Sequence, residues 1–130
     1  MTITEPTPLP LQKHVGIINS KAPISQPHGK DSLDLALIFG SYEQITSLFF
    51  QGDGVWQLIN QQNATLVDGK NFIKTFAALK FYDIENLFVC QQSLIERGLD
   101  NAEFHVENVI SLTKENFANK LHQQDILFRF

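Results

Sequence analysis

Cysteine occurs once in the 130-residue sequence, at position 90, so no internal disulfide can form and no CxxC pair of metal ligands exists. A reducing cytoplasm is the compartment this suggests. No segment approaches the roughly 20 consecutive apolar residues that would span a bilayer. The stretch before Lys13 has neither a basic leader nor an apolar core, so no secretion signal is expected. Charge of neither sign is gathered into a block. With 10 Lys and Arg against 14 Asp and Glu, the net charge is -4, which argues against a nucleic-acid backbone as direct ligand. The histidines at 14, 28, 105 and 122 show no HxxxH or His-carboxylate spacing, so neither a metal nor a cofactor is expected.

What is present is an aromatic interior. Hydrophobic residues make up 43% of the chain, and eleven Phe stand against two Tyr and one Trp. That content excludes disorder of the whole chain, and the length fits one domain of about 100–150 residues.

Pro6, Pro8 and Pro10 forbid a helix or central strand at the start, so residues 1–13 read as a flexible tail and 14–130 as the domain. Val15 to Ser20 is short, apolar and β-branched, and reads as the first strand. A loop containing Pro23, Pro27 and Gly29 follows. Asp31 or Ser32 can cap a helix running to about Gly40. That helix is apolar nearly all round, so it must be covered on more than one side, by the sheet and a loop or by a partner.

Ile45 to Phe50 is a continuous apolar strand of the kind found in sheets covered on both faces. Gly52-Asp53-Gly54 turns into a short helix from Val55 to about Ile59. Phe72, Phe76 and Leu79 mark an amphipathic helix. Leu87 to Val89 extends as the third strand, and Gln91 to Arg97 forms a helix that Gly98 can close in a left-handed conformation. Val106 to Leu112 reads as the fourth strand, Thr113 caps a last helix, and Ile126 to Phe130 is the fifth strand. Strands alternating with helices predict one three-layer α/β domain, a five-stranded mostly parallel sheet with helices on both faces.

Cys90 falls where the third strand meets its helix. A thiol there is a candidate catalytic nucleophile, because a helix start presents free N–H donors and the positive end of its dipole. The plain alternative is a buried small hydrophobe. No Lys, Arg or His lies in the seven residues before it, and Arg97 sits down the helix from it. Gly52-Asp53-Gly54 could cradle an anion, but it matches no nucleotide-binding spacing, and turn plus helix start is the simpler reading. His28 is worth watching, since its loop opens on the same sheet edge as Cys90. Asp34 and Glu96 read as solvated charges. Trp56, a lone Trp beside a loop, suits an interface anchor.

The words Pro27-His28-Gly29, Leu33-Asp34, Leu48-Phe49-Phe50, Asp53-Gly54-Val55, Tyr82-Asp83-Ile84-Glu85, Val89-Cys90, Glu96-Arg97-Gly98-Leu99 and Asp125 to Phe130, in that order, resemble the DsrE/DsrF sulfur-relay family. The resemblance covers about residues 15–130. It implies a doubly wound subunit that assembles with two homologues, of the TusB and TusD type, into a symmetric hetero-oligomer. Such a sulfurtransferase complex takes persulfide sulfur from a carrier of the TusE type and passes it toward 2-thiouridine at the tRNA wobble position. A DsrF-like branch serves sulfur oxidation instead. The resemblance also implies that the working sulfur acceptor belongs to the TusD-type partner, which leaves Cys90 a structural or auxiliary role. Two other readings rest on the residues alone: a stand-alone thiol enzyme using Cys90, and a small-molecule binder of flavodoxin-like shape using Gly52 to Gly54.

Overall fold

A computed structural model describes residues 12–22, 28–42, 44–59, 78–79, 84 and 86–130. The elements are β1 (His14–Asn19), α1 (His28–Ser41), β2 (Ile45–Phe50), a 3₁₀ helix (Gly52–Leu58), β3 (Asn86–Cys90), α2 (Gln91–Glu96), β4 (Val109–Leu112), α3 (Lys114–His122) and β5 (Ile126–Arg129). The five strands form one sheet in the order β4-β3-β2-β1-β5, and every neighbouring pair is parallel. The expected three-layer α/β sheet is what the chain adopts.

Register decides the two faces. Ile17 pairs with Leu48, which pairs with Leu87. These side chains, with Val15, Phe50 and Val89, point to the side where Leu33 and Ala36 of α1 and Val55 and Leu58 of the 3₁₀ helix complete a core. One residue along, Ile18, Phe49 and Phe88 pair in the same way and face the other side, where Phe117 of α3 closes a smaller core with Cys90. Alternation along strands buried on both faces explains why β2 is apolar throughout. Each fully buried Leu, Ile or Phe contributes about 1.5–3 kcal/mol relative to exposure. Phe49 meets the Phe117 ring edge-on, with centroids 5.4 Å apart at 89°.

Several boundaries differ from the expectation. α1 begins at His28 rather than at Asp31 or Ser32. Ser32 is fully buried inside the helix, and its hydroxyl therefore caps nothing. The short helix expected from Val55 to about Ile59 is a 3₁₀ helix that already begins in the glycine turn, spanning Gly52–Leu58. β4 starts at Val109, because Asn108 has φ 65, a left-handed conformation that a strand cannot continue through. The amphipathic helix through Phe72 and Phe76, the tail before Gln12, and Tyr82, Asp83 and Glu85 lie outside the described residues. Among the described residues no helix is long and apolar enough to cross a membrane.

Two caps match expectation in detail. The Thr113 hydroxyl accepts from the Asn116 N–H at 3.2 Å. Gly98 has φ 68 while Leu99 N–H reaches back to Leu94 O at 2.8 Å and Gly98 N–H to Ile95 O at 3.1 Å, the paired bonds of a Schellman end.

Candidate functional site

The carboxyl ends of β1, β2 and β3 converge on one edge, which is where open α/β sheets place their chemistry. Cys90 is the last residue of β3 and the N-cap of α2, and it makes no side-chain capping hydrogen bond. The residue is 7% exposed, its side chain packed with Ile18, Phe49, Phe88 and Phe117 on the α3 side of the sheet. The thiol therefore lies inside an apolar cluster. Lys120 caps that cluster from outside, its Nζ 5.6 Å from the Phe88 ring centre.

Beside α2 runs the Gly52-Asp53-Gly54 turn. Gly52 has φ 53, which favours glycine, and its N–H donates to Ser93 Oγ at 3.0 Å. Gly54 N–H closes the turn on Gln51 O at 2.9 Å. A side chain at Gly54 would overlap the backbone carbonyl of Asn19, so β1 and the turn touch backbone to backbone. Arg97 folds back along α2, donating from Nη1 to Ser93 O at 3.1 Å and from Nε to Asp53 Oδ1 at 3.1 Å. The turn is thus tied to α2 at both Gly52 and Asp53, by hydrogen bonds that leave it no open cradle at the Gly52 N–H.

Behind the turn, Gln57 is buried. Its Nε2 donates to Lys21 O at 2.9 Å, and its backbone carbonyl lies 2.6 Å from His105 Nε2. His105 N–H also bonds Leu58 O at 2.9 Å, so the segment before β4 is docked on the 3₁₀ helix. Asn19 Oδ1, Ser32 Oγ and Gln57 Oε1 are buried without a hydrogen-bond partner. The Asn19 side-chain amide donates from Nδ2 to Phe49 O at 3.5 Å.

Of the residues singled out from sequence, Cys90 and the glycine turn come together at this edge. His28 is the first residue of α1, with its side chain outside the described residues. Trp56 is half-buried against the α1-side core. Asp34 and Glu96 are exposed. Sequence reasoning missed the tie between Arg97 and Asp53, since a contact across 44 positions has no local signature. It also missed Gln57, whose neighbours give no hint that an amide is buried there. Among the described residues no group of three or more His, Cys, Asp or Glu could hold a metal ion.

A family model described as the DsrE/DsrF-like family matches residues 13–130. The chain belongs to the DsrE/DsrF-like family. Among curated proteins it is 36% identical over 118 residues to Protein TusC of Klebsiella pneumoniae subsp. pneumoniae, covering 91% of this chain and 99% of that one. It is 35% identical over 118 residues to Protein TusC of Buchnera aphidicola subsp. Acyrthosiphon pisum, again covering 91% and 99%. A protein named TusC homolog from Aliivibrio fischeri is 33% identical over 116 residues, covering 89% and 98%. Among solved structures the ychN protein from E. coli superposes with a TM-score of 0.76 over 92% of this chain and 100% of that one, at 22% identity. That likeness shows a shared α/β fold.

Proposed function

We infer that the chain is a TusC-like subunit of a sulfur-relay complex in the cytoplasm, with an assembly role. The complex carries persulfide sulfur toward 2-thiouridine at the tRNA wobble position. Its partners are homologous subunits of the TusB and TusD type, and a TusE-type persulfide carrier engages the complex. The relay thiol sits on a partner, and Cys90 serves packing. One observation carries this division of labour: Cys90 is 7% exposed within a cluster of Ile18 and three phenylalanines. A relay sulfur must meet another sulfur in line, which needs an accessible thiolate. The curated relatives, matched over nearly their whole length under the name TusC, support tRNA thiolation over the sulfur-oxidation branch.

The test is complementation. Deletion of the gene should abolish 2-thiouridine in tRNA digests, and Cys90→Ala should restore it close to wild type. If the deletion leaves 2-thiouridine unchanged, the tRNA assignment is wrong. If Cys90→Ala assembles with its partners yet restores no thiolation, Cys90 is itself a relay thiol.

A further inference from the structure

Two buried amides meet at the carboxyl end of β1. Asn19, the last residue of β1, is 1% exposed, and Gln57 on the 3₁₀ helix is 2% exposed. Asn19 follows Val15 and Ile17 at intervals of two, so its side chain leaves the sheet on the side where α1 and the 3₁₀ helix pack. The 3₁₀ helix lies against β1 at this point. Gln51 N–H, just before that helix, donates to Asn19 O at 3.0 Å, and a Cβ on Gly54 would overlap the same carbonyl. Residues three apart on a 3₁₀ helix stand one above the other, which puts Gln57 on the Gly54 face. From there Gln57 Nε2 reaches Lys21 O, two residues beyond Asn19.

The neighbours decide which end of each amide is free. Lys21 O and Phe49 O are backbone carbonyls and can only accept, so the NH2 groups of Gln57 and Asn19 must face them, at 2.9 and 3.5 Å. Gln57 Oε1 and Asn19 Oδ1 are thereby turned away from those carbonyls, and both are buried with no hydrogen-bond partner. A carbonyl oxygen taken out of water without a donor carries its full desolvation penalty, and buried polar atoms of folded proteins are paired with protein groups or ordered water. Neither acceptor is a carboxylate, and α1 starts at this same sheet edge with the positive end of its dipole. Both features disfavour a cation and call for a neutral donor. Water meets the need, because it carries two hydrogens to give and internal waters are held by two to four polar partners.

We propose that one internal water bridges Asn19 Oδ1 and Gln57 Oε1 and completes a clamp at the carboxyl edge of the sheet. Gln57 already holds Lys21 O, in the segment leaving β1, and its own carbonyl lies 2.6 Å from His105 Nε2, in the segment entering β4. The water adds the end of β1 itself to that junction. The site stands whether or not the chain takes part in sulfur relay.

A high-resolution crystal structure of the full-length chain tests it directly. A water oxygen should lie within about 3.2 Å of both Asn19 Oδ1 and Gln57 Oε1. Oxygen-17 relaxation dispersion in solution counts the waters held longer than the protein tumbles, and Gln57→Met and Asn19→Leu should each hold one fewer than the wild type. A thermal melt confirms that each variant is folded, and the wild-type density decides alone if neither is. Density with no oxygen between the two amides, an ion or a protein donor in that place, or an unchanged water count in the folded variants would each overturn the proposal. So would either amide turned with its oxygen toward the backbone carbonyl.

Discussion

Arg97 Nε donates to Asp53 Oδ1 at 3.1 Å and so fastens the end of α2 to the turn that follows β2. The Arg97 side chain is 25% exposed and that of Asp53 63%, so the ion pair is largely solvated and its own strength is modest. A double-mutant cycle with Arg97→Ala and Asp53→Ala should give a coupling of about 1 kcal/mol or less, read from denaturant melts. Arg97→Ala should cost more than Asp53→Ala, because Arg97 also holds Ser93 O at 3.1 Å.

The two glycines of that turn should respond unequally to alanine. A Cβ on Gly54 would run into the Asn19 carbonyl, a backbone group that cannot move without displacing β1. Gly54→Ala should cost about 3 kcal/mol or more, or prevent folding. At Gly52 the nearest atom to a new Cβ is Ser20 O at 3.8 Å, an ordinary contact, so Gly52→Ala should cost only about 1–2 kcal/mol of left-handed strain. A loss at Gly52 equal to that at Gly54 would contradict this ranking.

Two hydroxyls should respond in opposite directions. Thr113 caps α3 through Asn116, and Thr113→Ala should lower stability by about 1 kcal/mol. Ser32 is fully buried in α1 with no hydrogen-bond partner, so its hydroxyl is desolvated without compensation. Ser32→Ala should be neutral or raise the melting temperature.

Cys90 offers a matched pair of variants. In its apolar cluster a hydroxyl would lack the partner it needs, so Cys90→Ser should destabilise by about 1–3 kcal/mol. Cys90→Ala leaves only a small void and should cost less. Alkylation of native Cys90 by iodoacetamide should be slow, rising sharply when the chain unfolds in urea. Fast alkylation of the folded protein would show that the thiol reaches solvent more readily than its 7% exposure implies.

Local chemistry made much of this legible in advance. β2 was plain from Ile45 to Phe50, because a strand buried on both faces shows an unbroken apolar run. Gly98 and Thr113 marked helix ends through side-chain and backbone requirements confined to a few neighbours. The overrun of β4 came from Val106 and an apolar pattern that carries no sign of the left-handed Asn108. Strand order was not legible, since β1 pairs with β2 and with β5 through contacts that no local pattern encodes.

The placement of Cys90 at a strand end was readable from Leu87 to Gly98. Its burial was not, because Ile18, Phe49 and Phe117 that enclose it come from distant parts of the chain. Arg97 was likewise seen only as a helix residue, its partner lying 44 positions earlier.

Among the described strands β1 is translated first, yet it lies inside the sheet, flanked by β2 and β5. His14 N–H bonds Asp125 across 111 positions at 2.8 Å and β1 pairs with β5, so one side of β1 stays unpaired until β5 has been translated. During synthesis the nascent chain therefore carries an apolar strand with an open flank, and the sheet is completed only after elongation has passed β5. Ribosome stalling between β4 and β5 would leave that flank exposed, which makes this interval the point in biogenesis where chaperone capture matters most.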